Sequence, residues 1–397
     1  MGGALAGLRV VDLSINAPGP FATMMLADMG AEVVTVLNPA TVAAARYAGA
    51  AEDPFLSARH APFDMLMRGK QSLALDLKAE AGREVLLRLA AGADVLVEEM
   101  RPGKLASLGL GYPVLSEANP GLVLCSISGY GQTGPLAGRA GHDIDYIARA
   151  GALSLCRDGA GRPVMPQNLL GDYAAGASLA VSGILAALYE RHGSGRGQHV
   201  DVSMTEGALY LMADIAKVTL AAGHPVEAWR RTLGGGMPTY DVYETADARW
   251  MAVGALEPKF IAILADALDY AALPALMAEK AGWAEARAGL ETRFAARDRA
   301  HWTAVFDPLD ACVAPVLELA DLAGDAQLAA RGALAPMPGD AGAAGALQIA
   351  PAPRFSRSSP APLAAPRLPG CDTEAVLATL GYDAAGIETL RRRGALG

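Results

Sequence analysis

Over roughly the first half of the chain, short runs of β-branched residues alternate with amphipathic stretches. LRVVDL (8–13), EVVTVL (32–37), DVLVEEM (94–100), LVLCSIS (122–128) and HVDVSM (199–204) read as strands, and MRGKQSLALDL carries another just after Lys70. Between them, PFATMMLADMG and AEAGREVLLRLAAGA have helical periodicity, the second closed by a glycine turn. Near-continuous apolar strands separated by helices predict a mostly parallel sheet covered on both faces, an α/β doubly wound large domain. After a helix beginning near Thr205 the pattern changes. GGGMPTYDVYETADARWMAVGA reads as a hairpin turning at Thr245–Arg249, followed by the helical run EPKFIAILADALDY. That predicts a smaller α+β domain over 231–321, with 205–230 as a linker helix. The Pro-, Ala-, Gly- and Ser-rich stretch 332–367 reads as a surface connection, and TEAVLATLGYDAAGIETLRRRG as a closing helical pair.

Composition narrows the class. Of 397 residues 52% are hydrophobic and 19% charged, which describes a globular protein with an aliphatic core, since only 6% are aromatic. The 33 basic and 42 acidic residues leave a net charge of −9. That excess argues against nucleic acid or an anionic membrane as partner, and an anionic ligand would need a local basic pocket. The four cysteines (Cys125, Cys156, Cys312, Cys371) form no CxxC pair, so neither a zinc site nor a disulfide framework is expected. MGGALAGLRVVDL lacks the basic start of a signal peptide, and ASLAVSGILAALYE reads as too short to span a bilayer. A cytoplasmic protein is the expectation.

The chemical signals are few. A dinucleotide fingerprint would follow the first strand, but that turn reads SINAPGPFA; GLG (109–111) and GSGRG (193–197) do not join a strand to a helix. In SGYGQTGPLAGRAGHDIDYIARAGAL, His142 follows a glycine-rich loop with Asp143 and Asp145 beside it. It is either a helix cap or a functional histidine, and no second histidine at i+3 or i+4 suggests a metal. Asp172 opens the helical stretch NLLGDYAAGASLAVSGILAALYE. It is either a cap or a carboxylate placed beside backbone N–H groups able to hold an oxyanion. Ala174, Ala175, Gly176 and Ala177 are small enough to leave room for a substrate there. Glu257, in AVGALEPKF, is a further helix-start acid. Arg68 and Lys70 lie before a strand, and Arg101 and Lys104 follow one. Bases in loops at the ends of α/β strands are either solvated or placed to meet an anionic ligand.

These segments together resemble the class III CoA-transferase superfamily, most closely its α-methylacyl-CoA racemase branch. The similarity runs through LRVVDL…APGP-(9 residues)-GAEVVTV, RGKQSLALDLK, DVLVEEMRPG, SGYGQTGP, ILAAL-(4 residues)-GSGRGQHVDVSM and the tail LGYDAAGIETLRRRG. The resemblance implies an interlocked homodimer whose large domain, 1–204, is completed by 345–397, with 322–344 as a return linker. It implies acyl-CoA as substrate and no further cofactor, CoA being part of the substrate. In the transferases an aspartate at Asp172 attacks the thioester and carries the acyl group as an anhydride. In the racemases it is one of two acid/base groups, the other being a histidine at His142, oriented by a glutamate at Glu257 from the partner subunit. This chain reads GHDIDY where the transferases usually carry tyrosine, which favours the racemase. Asn168 and Tyr240 match further polar positions of the racemase site, and Arg68, Lys70, Arg101 and Lys104 are the expected CoA contacts. The chain departs from the family at Asn38 and Ser107, where relatives commonly carry basic residues, and the insert from Thr41 to Asp64 is closer to the transferases. Stereochemical inversion needs two groups on opposite faces of the α-carbon, one accepting a proton while the other donates.

Overall fold

A computed structural model describes residues 2–47, 64–224, 233–338 and 346–396. It divides into two compact units. The first comprises Met1–Ser154, Val164–Leu211 and Leu328–Gly397; the second comprises Leu155–Pro163 and Met212–Gln327. Most of the Thr41–Asp64 insert, residues 225–230 of the expected linker helix, 231–232 at the start of the expected small domain, 339–344 of the expected return linker and 345 at the start of the expected C-terminal part of the large domain lie outside the described residues.

In the first unit six strands form one parallel sheet in the order β3-β2-β1-β4-β5-β6. They are β1 (Arg9–Asp12), β2 (Glu32–Leu37), β3 (Lys70–Ala74), β4 (Val95–Glu98), β5 (Val123–Ser128) and β6 (His199–Ser203). The β-branched runs form these strands because both faces are buried. Val10, Val95 and Val123 are in register on one face, and Val11, Leu96 and Leu124 on the other. The first set packs with Ala22, Leu26 and Ile184, and the second with Val85, Leu86 and Leu377. The Pro18–Asp28 helix begins with proline in its first turn, where a missing N–H costs nothing.

β3 is an edge strand, and the C-terminal segment covers it. Asp372 Oδ2 accepts the N–H of Ser72 at 2.9 Å, Thr373 Oγ1 that of Ala74 at 2.9 Å, and Ser72 Oγ that of Gly370 at 2.8 Å. Pairing the exposed backbone in this way removes a template for edge-to-edge association.

The second unit holds an antiparallel sheet of β7 (Tyr240–Glu244), β8 (Trp250–Gly254) and β9 (Val313–Pro315). The hairpin turns where expected, with the Thr245 N–H on the Arg249 carbonyl at 2.8 Å and Ala248 left-handed at φ +57°. Helices Pro258–Ala267, Trp283–Phe294 and Arg299–Phe306 supply its core, where Phe294 stacks on Tyr243 and meets Trp302 edge-on.

Candidate active site

Two helix starts in the first unit meet at the candidate site. His142 is the N-cap of the Asp143–Ala150 helix and is exposed. Its N–H donates to Asp145 Oδ2 at 3.0 Å, and its carbonyl accepts the N–H groups of Asp145 and Tyr146. The glycines before it make room for Tyr146. A Cβ at Gly129 would lie 2.1 Å from the Tyr146 ring, and the phenol donates to the Gly141 carbonyl. Burial, with Tyr130 and nearby carboxylates, pushes that phenol up to about 12, so it packs as a neutral ring.

Asp172 sits in a helix running Leu169–Ser194, with π-helical turns over Leu169–Ser178 and α-helical ones beyond. Such widened turns recur at functional sites. At 26 residues the helix is longer than the apolar stretch read from the sequence, and by length and composition it suffices to cross a bilayer. In this fold its Ala180, Ile184 and Ala187 pack into the core. Asn168 Nδ2 donates to Asp172 Oδ2 at 3.0 Å. Burial raises the Asp172 carboxyl above the usual range and Asp143 adds to this, against the Asn168 hydrogen bond and the nearby His142.

Asp143 joins the two helix starts. Its Oδ2 accepts the Asp172 backbone N–H at 2.8 Å. Gly171 is what permits this approach, since a Cβ there would lie 2.4 Å from the same oxygen. The sequence showed Asp143 only as a first-turn acid, and the one signal available was the glycine preceding Asp172. Two expectations change as a result. The Asp172 N–H is taken by Asp143 and does not serve as an oxyanion donor. Among the described residues, the first-turn N–H groups of Asp143 and Ile144 have no hydrogen-bond acceptor. Nor do the small residues after Asp172 all make room for substrate. Ala175, Gly176 and Ala177 are buried, and Ala175 lies against Gly207 of the Met204–Leu211 helix.

A cleft of about 480 Å³ adjoins Asn168. It is walled by Ser14, Ile15, Asn16, Ala17 and Pro20 after β1, by Leu66 and Met67, and by Tyr173.

The expected CoA contacts divide. Lys70, the first residue of β3, is 2% exposed, and its Nζ donates to Asp12 Oδ2 at 3.3 Å, the Pro20 carbonyl at 2.8 Å and Thr23 Oγ1 at 2.6 Å. Burial lowers its ammonium pKa, and Asp12 opposes the shift. Arg68, 3% exposed, pairs with Asp28 and donates to the Ile349 carbonyl. Both cations are spent inside the fold, so neither meets a ligand phosphate, contrary to the expectation. Arg101 and Lys104, after β4, are exposed. Asn38 caps the following turn through its Oδ1, and the Ser107 hydroxyl donates to the Lys104 carbonyl. In the second unit Glu257 is the exposed N-cap of the Pro258–Ala267 helix, and Tyr240 begins β7, half-buried.

The signature of CoA-transferase family III spans residues 5–373. The α-methylacyl-CoA racemase of Mus musculus is 42% identical over 320 residues, covering 79% of this chain and 77% of its own. The succinyl-CoA:glutarate CoA-transferase of Mus musculus is 31% identical over 402 residues, covering 97% of this chain and 88% of its own. Among solved structures, a CAIB/BAIF family protein from Brucella suis matches with a TM-score of 0.80 at 26% identity, over 96% of this chain and 100% of that one. A parallel six-stranded sheet, an aspartate at a widened helix start and sequence similarity of this extent place the chain as an enzyme of CoA-transferase family III.

Proposed function

We propose that the chain racemises 2-methyl-branched acyl-CoA thioesters by proton transfer at the α-carbon. The observation that carries this reading is the pairing of Asp172, held by Asn168 and raised by burial, with His142 on the adjoining helix start. One of the two takes the α-proton; the C–H electron pair becomes the second bond between the α-carbon and the carbonyl carbon, and the carbonyl π pair moves to the thioester oxygen to give an enolate. The other returns a proton to the opposite face. A carboxyl raised toward neutrality suits a group that must both accept and donate. The enolate oxygen meets the open N–H of Asp143, and one such donor is worth about 3–4 kcal/mol in comparable sites. The cleft beside Asn168 takes the thioester arm, and Arg101 and Lys104 take the phosphates. Glu257, supplied with Tyr240 by a second copy of the chain, orients His142; this part of the reading rests on the family resemblance. The test is incubation with branched acyl-CoA thioesters in deuterated water. Deuterium should enter at the α-carbon, and absence of exchange across a panel of such thioesters would overturn the reading.

A second reading, CoA transfer through an Asp172 acyl anhydride, draws on the transferase match along 97% of the chain. It requires hydroxylamine to trap an adduct on Asp172 and a His142→Ala variant to retain much of the activity. An inactive variant with no adduct excludes it.

A further inference from the structure

Glu99 takes no part in this chemistry, yet it occupies the point where the strand order turns. β1 and β4 are neighbours there, so the loops leaving their carboxyl ends diverge and open a crevice. In dinucleotide-binding sheets the amides of the first such loop face a pyrophosphate. Here they face a side chain. Glu99 Oε1 accepts the N–H of Ile15 at 2.6 Å and that of Asn16, and Oε2 accepts the N–H of Gly19 at 3.3 Å. The fit leaves no space, since a Cβ on Gly19 would lie 2.2 Å from Ser14 Cβ and 3.0 Å from Glu99 Oε2. The turn held in this way, together with Pro20, forms a wall of the cleft, and Asn168 lines the same cleft while donating to Asp172.

We infer that Glu99 is a positioning residue whose ionised carboxylate holds the turn 15–19 as the wall against which acyl-CoA lies, and whose protonation loosens that wall. The inference rests on the acyl-CoA reading above. An ionised carboxylate offers acceptors on both oxygens to the three N–H groups, whereas a protonated one turns one oxygen into a donor. The charged groups facing Glu99 are Asp12 on β1, which opposes its ionisation, and Lys70 on β3, which favours it; Asp64, on the cleft wall, acts on the same lysine. Burial outweighs the three N–H bonds and pushes the carboxyl from 4.5 up to about 7. The folded value lies above the unfolded one. The contribution to stability is therefore fully present below about 4.5 and lost as pH rises through about 7. Ionised Glu99 thus costs stability, which fits a group kept for the site and not for the fold.

The test compares wild type with Glu99→Gln, which keeps the size but loses the second anionic oxygen. For the wild type, KM in the deuterium-exchange assay should fall several-fold between about pH 6 and about pH 8. In E99Q it should be flat and several-fold higher at the upper end. The melting-temperature advantage of wild type over E99Q should shrink over the same rise in pH. Amide hydrogen exchange at Ile15, Asn16 and Gly19 needs no substrate. After correction for intrinsic rates, protection should rise between about pH 6 and about pH 8 in the wild type and stay level in E99Q. The same KM limb in both proteins, or amide protection equal at both pH values, overturns the inference. If the wild type exchanges no α-proton, the acyl-CoA reading fails by itself, and the amide measurement still decides whether Glu99 clamps the turn.

Discussion

Asp143 shows how much of the site hangs on one carboxylate that touches no substrate. It is 8% exposed, and its Oδ2 ties the Asp172 amide to the helix that His142 caps. Its charge also helps raise the Asp172 carboxyl. Asp143→Asn keeps an acceptor for that amide and removes the charge, so Asp172 should ionise at lower pH. The acid limb of the pH–rate profile for α-proton exchange should move down, while the melting temperature changes little. Gly171→Ala should do the reverse. A methyl placed 2.4 Å from the Asp143 oxygen must push the two helix starts apart. An amide left buried without a partner costs about 1–3 kcal/mol, and urea unfolding would register that loss together with a fall in kcat. His142 and Asp172 were legible in the sequence because each opens a helix, a local pattern. The Asp143 contact spans 29 positions and leaves no local trace beyond a glycine.

At the scale of elements, the strands were legible for the same local reason. A β-branched run buried on both faces needs no distant partner to be recognised, and β2 begins and ends where the run EVVTVL does. Lys70 and Arg68 were misread because the sequence shows a base near a strand and not the acid it meets. Asp12 and Asp28, far along the chain, take those charges. Asp372 offers the clearest test of how the chain closes its sheet. Although 4% exposed, it accepts from Ser72 on the edge strand and pairs with Arg367. Burial pushes its carboxyl up, and the Arg367 pair with the Ser72 amide more than offset that, holding it below the usual 3.8. The resulting stability is present above the unfolded carboxyl pKa and lost as pH falls through the lower folded value. Asp372→Asn should therefore cost up to about 1 kcal/mol near neutrality, discounted because Arg367 is half-exposed. Urea midpoints of the two proteins should converge in acid.

At the scale of the molecule, an excess of nine acids coexists with the anionic substrate we propose because the demand for cations is local. Arg101 and Lys104 stand three residues apart just after β4, and no broad basic face is required. The remaining question is which copy of the chain supplies Glu257, since His142 belongs to the first unit and Glu257 to the second. We propose that they act across two copies, and mixed assemblies can decide it. Let His142→Ala and Glu257→Ala chains be co-expressed, because an interlocked dimer of the kind the family resemblance implies would not exchange chains after folding. If the two residues act across copies, a mixed dimer has one site lacking both groups and one site with both. Random pairing makes half the dimers mixed, so about a quarter of all sites should be intact. Exchange activity should then recover to about that share of wild type, although each homodimer alone is nearly inactive. If both residues act within one chain, every site lacks one of them and co-expression restores nothing. Light scattering on the same preparations should give a mass near twice the 40.8 kDa chain. A monomer mass would exclude the shared site whatever the activity.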